Sequence, residues 1–258
     1  MSVAPAARVA MVRPPHAYVS SAIADLRAKP NGAGELVDQA HVGEALTLLG
    51  DAGDWAYVQG DDLYFGWIHR QDIRQDTPPS RQILVAIHNA PVRREPDEGS
   101  EVIGRVDAGV VSYVVTGGWV LCANGWLAAS DTVADDRLPQ RYPTPDDLLA
   151  TAESYIGVPY LWGGTTTRGI DCSGLTQQVY RLNGVGLDRD ADQQALGGRP
   201  VDVARPGDLF FFGAERVTHT TIATGERTFI HAPESGKTVQ RGELTDPSRL
   251  RAIRRYLP

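Results

Sequence analysis

The sequence predicts an α+β protein, in which two small β-barrels precede a domain of helices packed on an antiparallel sheet. Three observations lead to this fold class. The first half of the chain repeats itself, each copy consists of short apolar runs bounded by glycine and aspartate, and the first helix-start residues follow a polar segment that contains proline. Helices followed by several strands are typical of an α+β domain.

The repeat defines the first two units. Two pairs of segments carry it: LRAKPNGAGELV (26–37) with VRREPDEGSEVI (92–103), and FGWIHRQDI (65–73) with NGWLAASDTV (124–133). Short, evenly spaced strands indicate small barrels, although two unrelated β-hairpins would give a similar pattern. We expect an N-terminal extension over residues 1–15, a first barrel over 16–77 and a second barrel over 78–135.

The remaining chain has the features of a separate domain. Residues 136–145 are polar and contain proline, which predicts a linker, and the domain is expected over 146–258. Thr144 and Pro145 are a typical N-cap and first residue of a helix. A second helix is predicted from Cys172 to Leu182. Three later segments predict strands: GDLFFFG (207–213), VTHTTIA (217–223) and RTFIHAP (227–233).

Composition excludes several partners. The chain of 258 residues is 42% hydrophobic and 22% charged, as in soluble globular proteins, and its formal net charge is −7. A net negative charge argues against nucleic acid, and no apolar run is long enough to span a membrane. The first residues contain no apolar core of a signal peptide, so we expect a cytoplasmic protein, although a chain trimmed of its export signal would look the same.

Cys172 lies at the start of the second predicted helix. Backbone N–H groups there lack helical partners and favour negative charge, so we expect the pKa of the thiol to be lowered and the cysteine to act as a nucleophile. The same N–H groups are suited to an oxyanion. The alternative is a small buried apolar side chain, as in most free cysteines. Cys122 lies within a strand, where that alternative is favoured, and the two cysteines do not suggest a disulfide framework.

His219 and His231 are the candidate bases for a thiol nucleophile. They lie on adjacent predicted strands, and a hairpin centred on Gly225 would place them directly opposite each other on one face. A two-residue loop at Gly225-Glu226 would instead turn His231 to the other face, so the pairing requires a loop of odd length. A histidine pair in a hairpin is by itself more often structural. The other four histidines are expected at the surface: His16, His41, His69 and His88.

Three motif blocks resemble the NlpC-type family of cell-wall cysteine peptidases. They are PYLWGGTTTRGIDCSGLTQQVYRLNGVGLDRDADQQ, RPGDLFFFG and THTTIATGERTFIHAP, in the order and spacing of that family. The barrel pattern is similar to bacterial SH3-like domains. The resemblance implies a papain-like cysteine peptidase domain behind two SH3-like β-barrels, with no cofactor and no metal ion. The run TTTRG within the first block is expected to be a flexible approach to the cleft.

The resemblance assigns catalytic roles to four residues. Cys172 matches the nucleophile, His219 the base and His231 the third residue, which orients the base. Tyr160 matches a tyrosine whose hydroxyl lies near the nucleophile. The sequence departs from the family pattern beside these residues: Leu187-Asp188-Arg189 stands where L-P-R is common, and HTTIA stands where H-V-G-I-Y is usual. These departures concern the fit of the substrate more than the reaction.

The resemblance also implies a binding site for the substrate's free α-amine. Asp171 and Ser173 match positions that contact this amine, and Tyr64 matches a barrel tyrosine that lines the same pocket. An anionic aspartate beside an ammonium group would form a strong, directional hydrogen bond. An acidic barrel residue also contributes in the family, and Asp38 and Glu44 are both candidates.

The predicted function follows from this arrangement, which is similar to murein-peptide recycling endopeptidases. Such an enzyme cuts L-Ala-γ-D-Glu-diamino-acid peptides after D-Glu and releases L-Ala-D-Glu, because the barrel admits only peptides with a free N-terminal L-Ala. Two alternatives remain open: a peptidoglycan-binding wall protein or hydrolase that acts on the intact wall, and a zinc site formed by Cys172, His219 and His231.

Overall fold

The structure is a computed structural model that describes residues 16–75, 82–85, 88–107, 109–112, 114–122, 125–134 and 143–258. The expected N-terminal extension over 1–15 lies outside the described residues, and so do residues 136–142 of the expected linker over 136–145. Within the described ranges, no helix is both long and apolar enough to cross a membrane.

Residues 16–75 form one curled, seven-stranded antiparallel sheet. Its strands are β1 (His16–Val19), β2 (Ile23–Arg27), β3 (Leu36–His41), β4 (Ala45–Ala52), β5 (Trp55–Gln59), β6 (Phe65–His69) and β7 (Ile73–Arg74), in the order β3-β2-β6-β5-β4-β1-β7. Alternation along β5 turns Ala56 and Val58 inward, and both are fully buried. They pack with Leu26, Leu46 and Ile68 into the core of this unit.

The described residues between 82 and 134 form two further antiparallel sheets. The strands are β8 (Gln82–Val85), β9 (Ala90–Arg93), β10 (Val102–Val106), β11 (Gly109–Ser112), β12 (Val114–Thr116), β13 (Trp119–Cys122), β14 (Gly125–Ala128) and β15 (Thr132–Ala134), in the orders β10-β9-β14-β13-β12 and β11-β8-β15. Cys122 is only 3% exposed within the core of this unit. Its predicted structural role is confirmed.

The third unit packs helices against an antiparallel sheet. Its elements are α1 (Pro145–Ser154), β16 (Thr165–Thr166), β17 (Gly169–Ile170), α2 (Cys172–Leu182), α3 (Ala191–Gln194), β18 (Arg199–Pro200), β19 (Leu209–Phe212), β20 (His219–Ala223), β21 (Thr228–His231), β22 (Gln240–Glu243) and β23 (Leu250–Arg255). The six-stranded sheet within residues 143–258 has the order β18-β23-β19-β20-β21-β22. The predicted α+β class is confirmed.

Local signals explain where the two longer helices begin. Thr144 and Asp147 form a capping box at α1, with Pro145 as the first helical residue. Helix α2 runs from Cys172 to Leu182 as predicted, and the Asp171 carboxylate caps its first turn. Buried side chains of both helices pack on the sheet in one core: Leu148, Leu175, Val179, Tyr180, Leu209, Phe211 and Ile222. This packing fixes the start of α2 against the sheet.

The first two units, which correspond to the predicted barrels, contact the segment that leads into α2. Thr165 and Thr166 are each 1% exposed, and His41 Nε2 lies 3.0 Å from Thr165 Oγ1. The Thr167 N–H donates to Asp107 of the second unit at 2.6 Å. The expectation of a flexible TTTRG run is therefore wrong, because β16 and β17 form a short hairpin whose polar groups are bound by both barrels.

Two histidines expected at the surface lie at these interfaces instead. His41 is 3% exposed, and burial lowers its pKa. His88 stacks edge-on against Tyr155 of the third unit, with ring centroids 4.5 Å apart. The surface prediction is wrong for both residues, because their partners lie in units that are distant in the sequence.

Gly163 should be a critical contact between the first barrel and the third unit. Its φ of +74° is left-handed, and an added Cβ would lie 2.5 Å from the Leu36 carbonyl oxygen. Gly236, with φ +84° and open space around it, is a matched control. Gly236→Ala should cost about 1–2 kcal/mol of stability through backbone strain, and Gly163→Ala should cost about 1–3 kcal/mol more through overpacking. Urea unfolding measures both, and equal losses would contradict this contact.

Candidate active site

Cys172 is the first residue of α2, and its side chain is 8% exposed. Its thiol lies within reach of the backbone N–H groups of Ser173 and Thr220, both of which favour the thiolate. Thr220 follows His219 on β20, so the start of α2 and the start of β20 meet at the thiol. Two elements far apart in the sequence thus form one centre.

The pKa of the Cys172 thiol is raised to about 12. Burial is the largest cause, and the negative charge of Asp171 adds to it, whereas the N–H groups of Thr220 and Ser173 act in the opposite direction. The expectation that the helix start lowers this pKa is therefore wrong. The helix N–H groups act as expected, but removal of the thiolate from water outweighs them.

His219 and His231 form a hydrogen-bonded pair, with 2.9 Å between His219 Nε2 and His231 Nδ1. The register of β20 with β21 pairs Ile222 with Ile230 and Ala223 with Phe229. The loop has odd length, as required, and both histidines lie on one face. They are diagonal rather than directly opposite, which corrects the predicted register by two residues.

The turn accounts for this shift in register. The Thr224 N–H donates to the Thr228 carbonyl at 2.8 Å, and the hydroxyls of the two threonines lie 2.8 Å apart. The hairpin therefore closes around Glu226 rather than Gly225. Diagonal residues on one face remain within reach of each other when their side chains are as long as histidine.

Both histidines are neutral near pH 7, because the pKa of each is lowered to about 4. Burial is the main cause for both, and the charges of His231 and Arg249 lower the pKa of His219 further. If His219 Nε2 donates to His231 Nδ1, then His219 Nδ1 keeps a free lone pair. Only this tautomer leaves His219 able to accept a proton from a thiol.

Four of the predicted residues line one cavity of about 530 Å³: Tyr160, Cys172, His219 and His231. Phe212 and Phe229 form apolar walls, and the charged side chains of Glu243 and Arg249 stand at its border. The described lining of this cavity does not include Tyr64, Asp171 or Ser173. The structure thus separates the predicted residues into two groups, one that lines this cavity and one that lies outside its described lining.

The Asp171 carboxylate accepts hydrogen bonds from five donors. They are the N–H groups of Gly163 and Gly174, the Ser173 hydroxyl, and Nη1 and Nη2 of Arg189, at 2.6 to 3.3 Å. Asp171 is 6% exposed. Its observed role is to cap α2 and bind Arg189, and its predicted contact with a substrate amine stays a prediction.

Arg189 connects the loop of the nucleophile to the first barrel. Its guanidinium is 1% exposed and donates from Nε to Asp38 Oδ1 at 2.6 Å, and from Nη1 to the Ser173 hydroxyl at 3.0 Å. Burial raises the pKa of Asp38 to about 7, although Arg189 acts to lower it. With Asp38 ionised, two carboxylates share one guanidinium, so the network of Asp38, Arg189 and Asp171 carries an excess negative charge.

Tyr64 extends from the first barrel to the same loop. Its hydroxyl lies 3.2 Å from Asp190 Oδ2, next to Arg189 in the sequence. Glu44, the other candidate acid, instead pairs with Arg181 at 2.5 Å. Of the two candidates, Asp38 is therefore the one that is bound to the residues around Cys172.

Sequence reasoning missed three residues of this site: Arg189, Asp190 and Arg249. In the sequence, Arg189 was noted only as the arginine of the segment Leu187-Asp188-Arg189, which stands where the family has L-P-R. Its partner Asp38 lies 151 residues earlier in the chain, so no local pattern predicts the pair. Asp190 follows Arg189, and Arg249 lies in a segment for which we predicted no element.

The geometry does not favour a zinc site. Among the described residues, no group of three or more histidine, cysteine, aspartate or glutamate side chains could hold a metal ion. The shared hydrogen bond occupies one nitrogen of each histidine. We therefore derive no step through a metal ion.

Comparisons with known proteins agree with this architecture. Residues 157–254 match the model of the NlpC/P60 family, and residues 26–73 match that of the bacterial dipeptidyl-peptidase Sh3 domain. A gamma-D-glutamyl-L-lysine dipeptidyl-peptidase of Bacillus cereus is 30% identical over 256 residues, which cover 88% of this chain and 77% of that protein. Dipeptidyl-peptidase 6 of Lysinibacillus sphaericus is 29% identical over 259 residues, which cover 90% of this chain and 92% of that protein.

One solved structure shares the whole fold. The crystal structure of an NlpC/P60 family protein from Bacillus cereus superposes with a TM-score of 0.83 at 24% identity, covering 94% of this chain and 100% of that one. The match extends over both β-units as well as the third unit.

The raised pKa of Cys172 predicts how the thiol reacts with iodoacetamide. Because the thiolate fraction increases tenfold per pH unit below a pKa of about 12, the alkylation rate should rise continuously between pH 5 and 9. Cys122→Ala protein removes the second thiol from the measurement, and mass spectrometry counts the modified residue. A rate that is constant from pH 5 to 8 would instead indicate a preformed thiolate and contradict this resting state.

Proposed function

Because the chain belongs to the NlpC/P60 family, we propose that it is a cysteine peptidase that hydrolyses the γ-D-glutamyl–diamino-acid bond of murein peptides with a free N-terminal L-Ala. The product would be L-Ala-D-Glu. The observation that carries the proposal is the shared cavity of Cys172, His219 and His231, with the two histidines joined by a 2.9 Å hydrogen bond. The names of the full-length relatives support the substrate class.

The first step forms an acyl-enzyme. His219 Nδ1 accepts the thiol proton while the Cys172 sulfur attacks the γ-carbonyl carbon of D-Glu. Because both groups are neutral at rest, proton transfer accompanies the attack rather than preceding it. His231 holds His219 in the required tautomer. The Cys172 N–H at the start of α2 has no hydrogen-bond partner among the described residues, and in our proposal it donates to the oxyanion together with the Tyr160 hydroxyl.

The second step releases the dipeptide. The imidazolium of His219 gives its proton to the nitrogen of the diamino acid, which leaves as a free amine. His219 then removes a proton from water, whose oxygen attacks the thioester, and the thiol is restored when the tetrahedral intermediate collapses. The proton balance closes on His219, so the cycle needs no further acid or base.

The free α-amine is proposed to bind at the junction with the first barrel. The network of Asp38, Arg189 and Asp171 carries an excess negative charge when Asp38 is ionised, and Tyr64 with Asp190 lies beside it. An ammonium group would balance this charge, and Ser173 is the polar contact nearest the nucleophile. A blocked N-terminus would bring no positive charge into this buried site.

A second candidate function is a protein that binds or cuts intact cell wall. The observation that favours it is the outer face of the first barrel, where cross-strand pairs join Trp55 with His69 and Tyr57 with Trp67. Such a protein would bind sacculi in a pull-down even as Cys172→Ala. Cleavage of free tripeptide without release of material from sacculi would favour peptide recycling.

The decisive assay is cleavage of L-Ala-γ-D-Glu-L-Lys and of its N-acetylated form, read by mass spectrometry. We expect L-Ala-D-Glu from the free peptide and at least about tenfold slower cleavage of the acetylated one, because the amine site is left uncompensated. Cys172→Ala should reduce the rate by roughly 10⁴-fold or more. The control Cys122→Ala removes a thiol of the second unit and should remain active. Equal cleavage of both peptides would contradict the requirement for a free amine.

A further inference from the structure

Arg249 places an unpaired positive charge at the cavity of Cys172. The residue is exposed and lines the cavity together with His219 and His231. Among the described residues, its guanidinium has no hydrogen-bond or ion-pair partner within bonding distance. By contrast, the neighbouring Arg251 donates from Nη2 to the Glu215 carbonyl at 3.0 Å.

The backbone around Arg249 is held in place. Arg249 ends a 3₁₀ turn, Pro247–Arg249, whose first residues are capped by Asp246, and the Gly213 N–H donates to the Arg249 carbonyl at 3.0 Å. The Asp246 carboxylate accepts from the N–H and the hydroxyl of Ser248. The guanidinium is therefore presented by a fixed turn, and the Asp246 carboxylate, which feels the charge of Arg249, is hydrogen-bonded to Ser248 rather than to Arg249.

Arg249 lies on the side of the leaving group. The departing nitrogen must be close to His219, because His219 protonates it, whereas the acyl part stays bound to Cys172. The charge of Arg249 is felt at His219, whose pKa it helps to lower. The Asp171–Arg189 network lies outside the described lining of this cavity and is already hydrogen-bonded within itself.

A free carboxylate borders the same cavity. Glu243 ends β22, is exposed, and has no ion pair among the described residues. Glu234, which also lines the cavity, is paired with Lys237 at 2.7 Å. Near His219, the lining thus offers one arginine and one glutamate that have no ion pair among the described residues, next to Asp246, whose carboxylate accepts from Ser248. A diamino acid with a free C-terminus presents the complementary pair, an α-carboxylate and a side-chain ammonium.

We propose that Arg249 binds the α-carboxylate of the departing diamino acid and that Glu243 binds its side-chain ammonium. The inference rests on the proposed function and adds to it a specificity for the C-terminal side of the cleaved bond. The enzyme then recognises both ends of its substrate, the amine at the first barrel and the carboxylate at Arg249. Peptides whose diamino acid carries a blocked carboxyl group are poorer substrates.

The test compares L-Ala-γ-D-Glu-L-Lys with its C-terminal amide. The wild-type protein should cleave the free acid with a kcat/KM about tenfold above that of the amide, mainly through KM. Arg249→Gln should bring this ratio close to one, because it should slow cleavage of the free acid about tenfold more than cleavage of the amide. Arg251→Gln, two residues away and outside the cavity lining, is the matched control and should keep the wild-type ratio.

Three outcomes would overturn the inference. The ratio could persist in Arg249→Gln, or that variant could slow both peptides equally, which would indicate a structural role. The third outcome would be seen with a peptide that has D-isoglutamine in place of D-Glu. If Arg249→Gln removes the discrimination between D-Glu and D-isoglutamine but keeps the C-terminal ratio, Arg249 binds the acyl side instead. Wild-type protein that cleaves none of the peptides would contradict the proposed function itself.

Discussion

The buried guanidinium of Arg189 is the interaction on which the arrangement of the site depends. It joins Asp38 of the first barrel to Asp171 and Ser173, the two neighbours of Cys172. Removing one partner from a buried charged network leaves an uncompensated charge, at a cost of about 3–5 kcal/mol. The barrel is therefore tied electrostatically to the loop of the nucleophile.

This ionic interaction explains how the first barrel contributes to the site. Asp171 both caps α2 and binds Arg189, so the start of the nucleophile helix and the barrel interface share one carboxylate. The hairpin of β16 and β17 is bound by His41 of the first unit and Asp107 of the second. Papain-like chemistry needs only Cys172, His219 and His231, whereas in our proposal the barrels limit which end of a peptide can approach them.

Local features of the fold could be predicted from the sequence. The bounds of α2 and the cap at Thr144 followed from residues within one helical turn of each other. The face of the histidine pair followed from parity along two strands, but its register did not, because the bonds between Thr224 and Thr228 close the turn. The register of the hairpin that carries the two histidines could therefore be obtained only from the structure.

Properties that depend on distant parts of the chain could not be predicted. The pKa of Cys172 reflects burial by several elements, and the roles of His41 and Arg189 arise from partners more than a hundred residues away. The family resemblance indicated an acidic barrel residue but left Asp38 and Glu44 equivalent. Only the packed interface distinguishes them, because Asp38 meets Arg189 and Glu44 meets Arg181.

The central claim is that the charge of this network selects the free amine next to the nucleophile. Its most direct test is the ratio of kcat/KM for free over N-acetylated L-Ala-γ-D-Glu-L-Lys, measured in Asp38→Asn and Glu44→Gln above pH 7, where Asp38 is ionised. Asp38→Asn should lower the ratio about tenfold, because Arg189 and Asp171 then form a neutral pair, whereas Glu44→Gln should leave it unchanged. A wild-type ratio in Asp38→Asn, or an equal loss in both variants, would contradict the account.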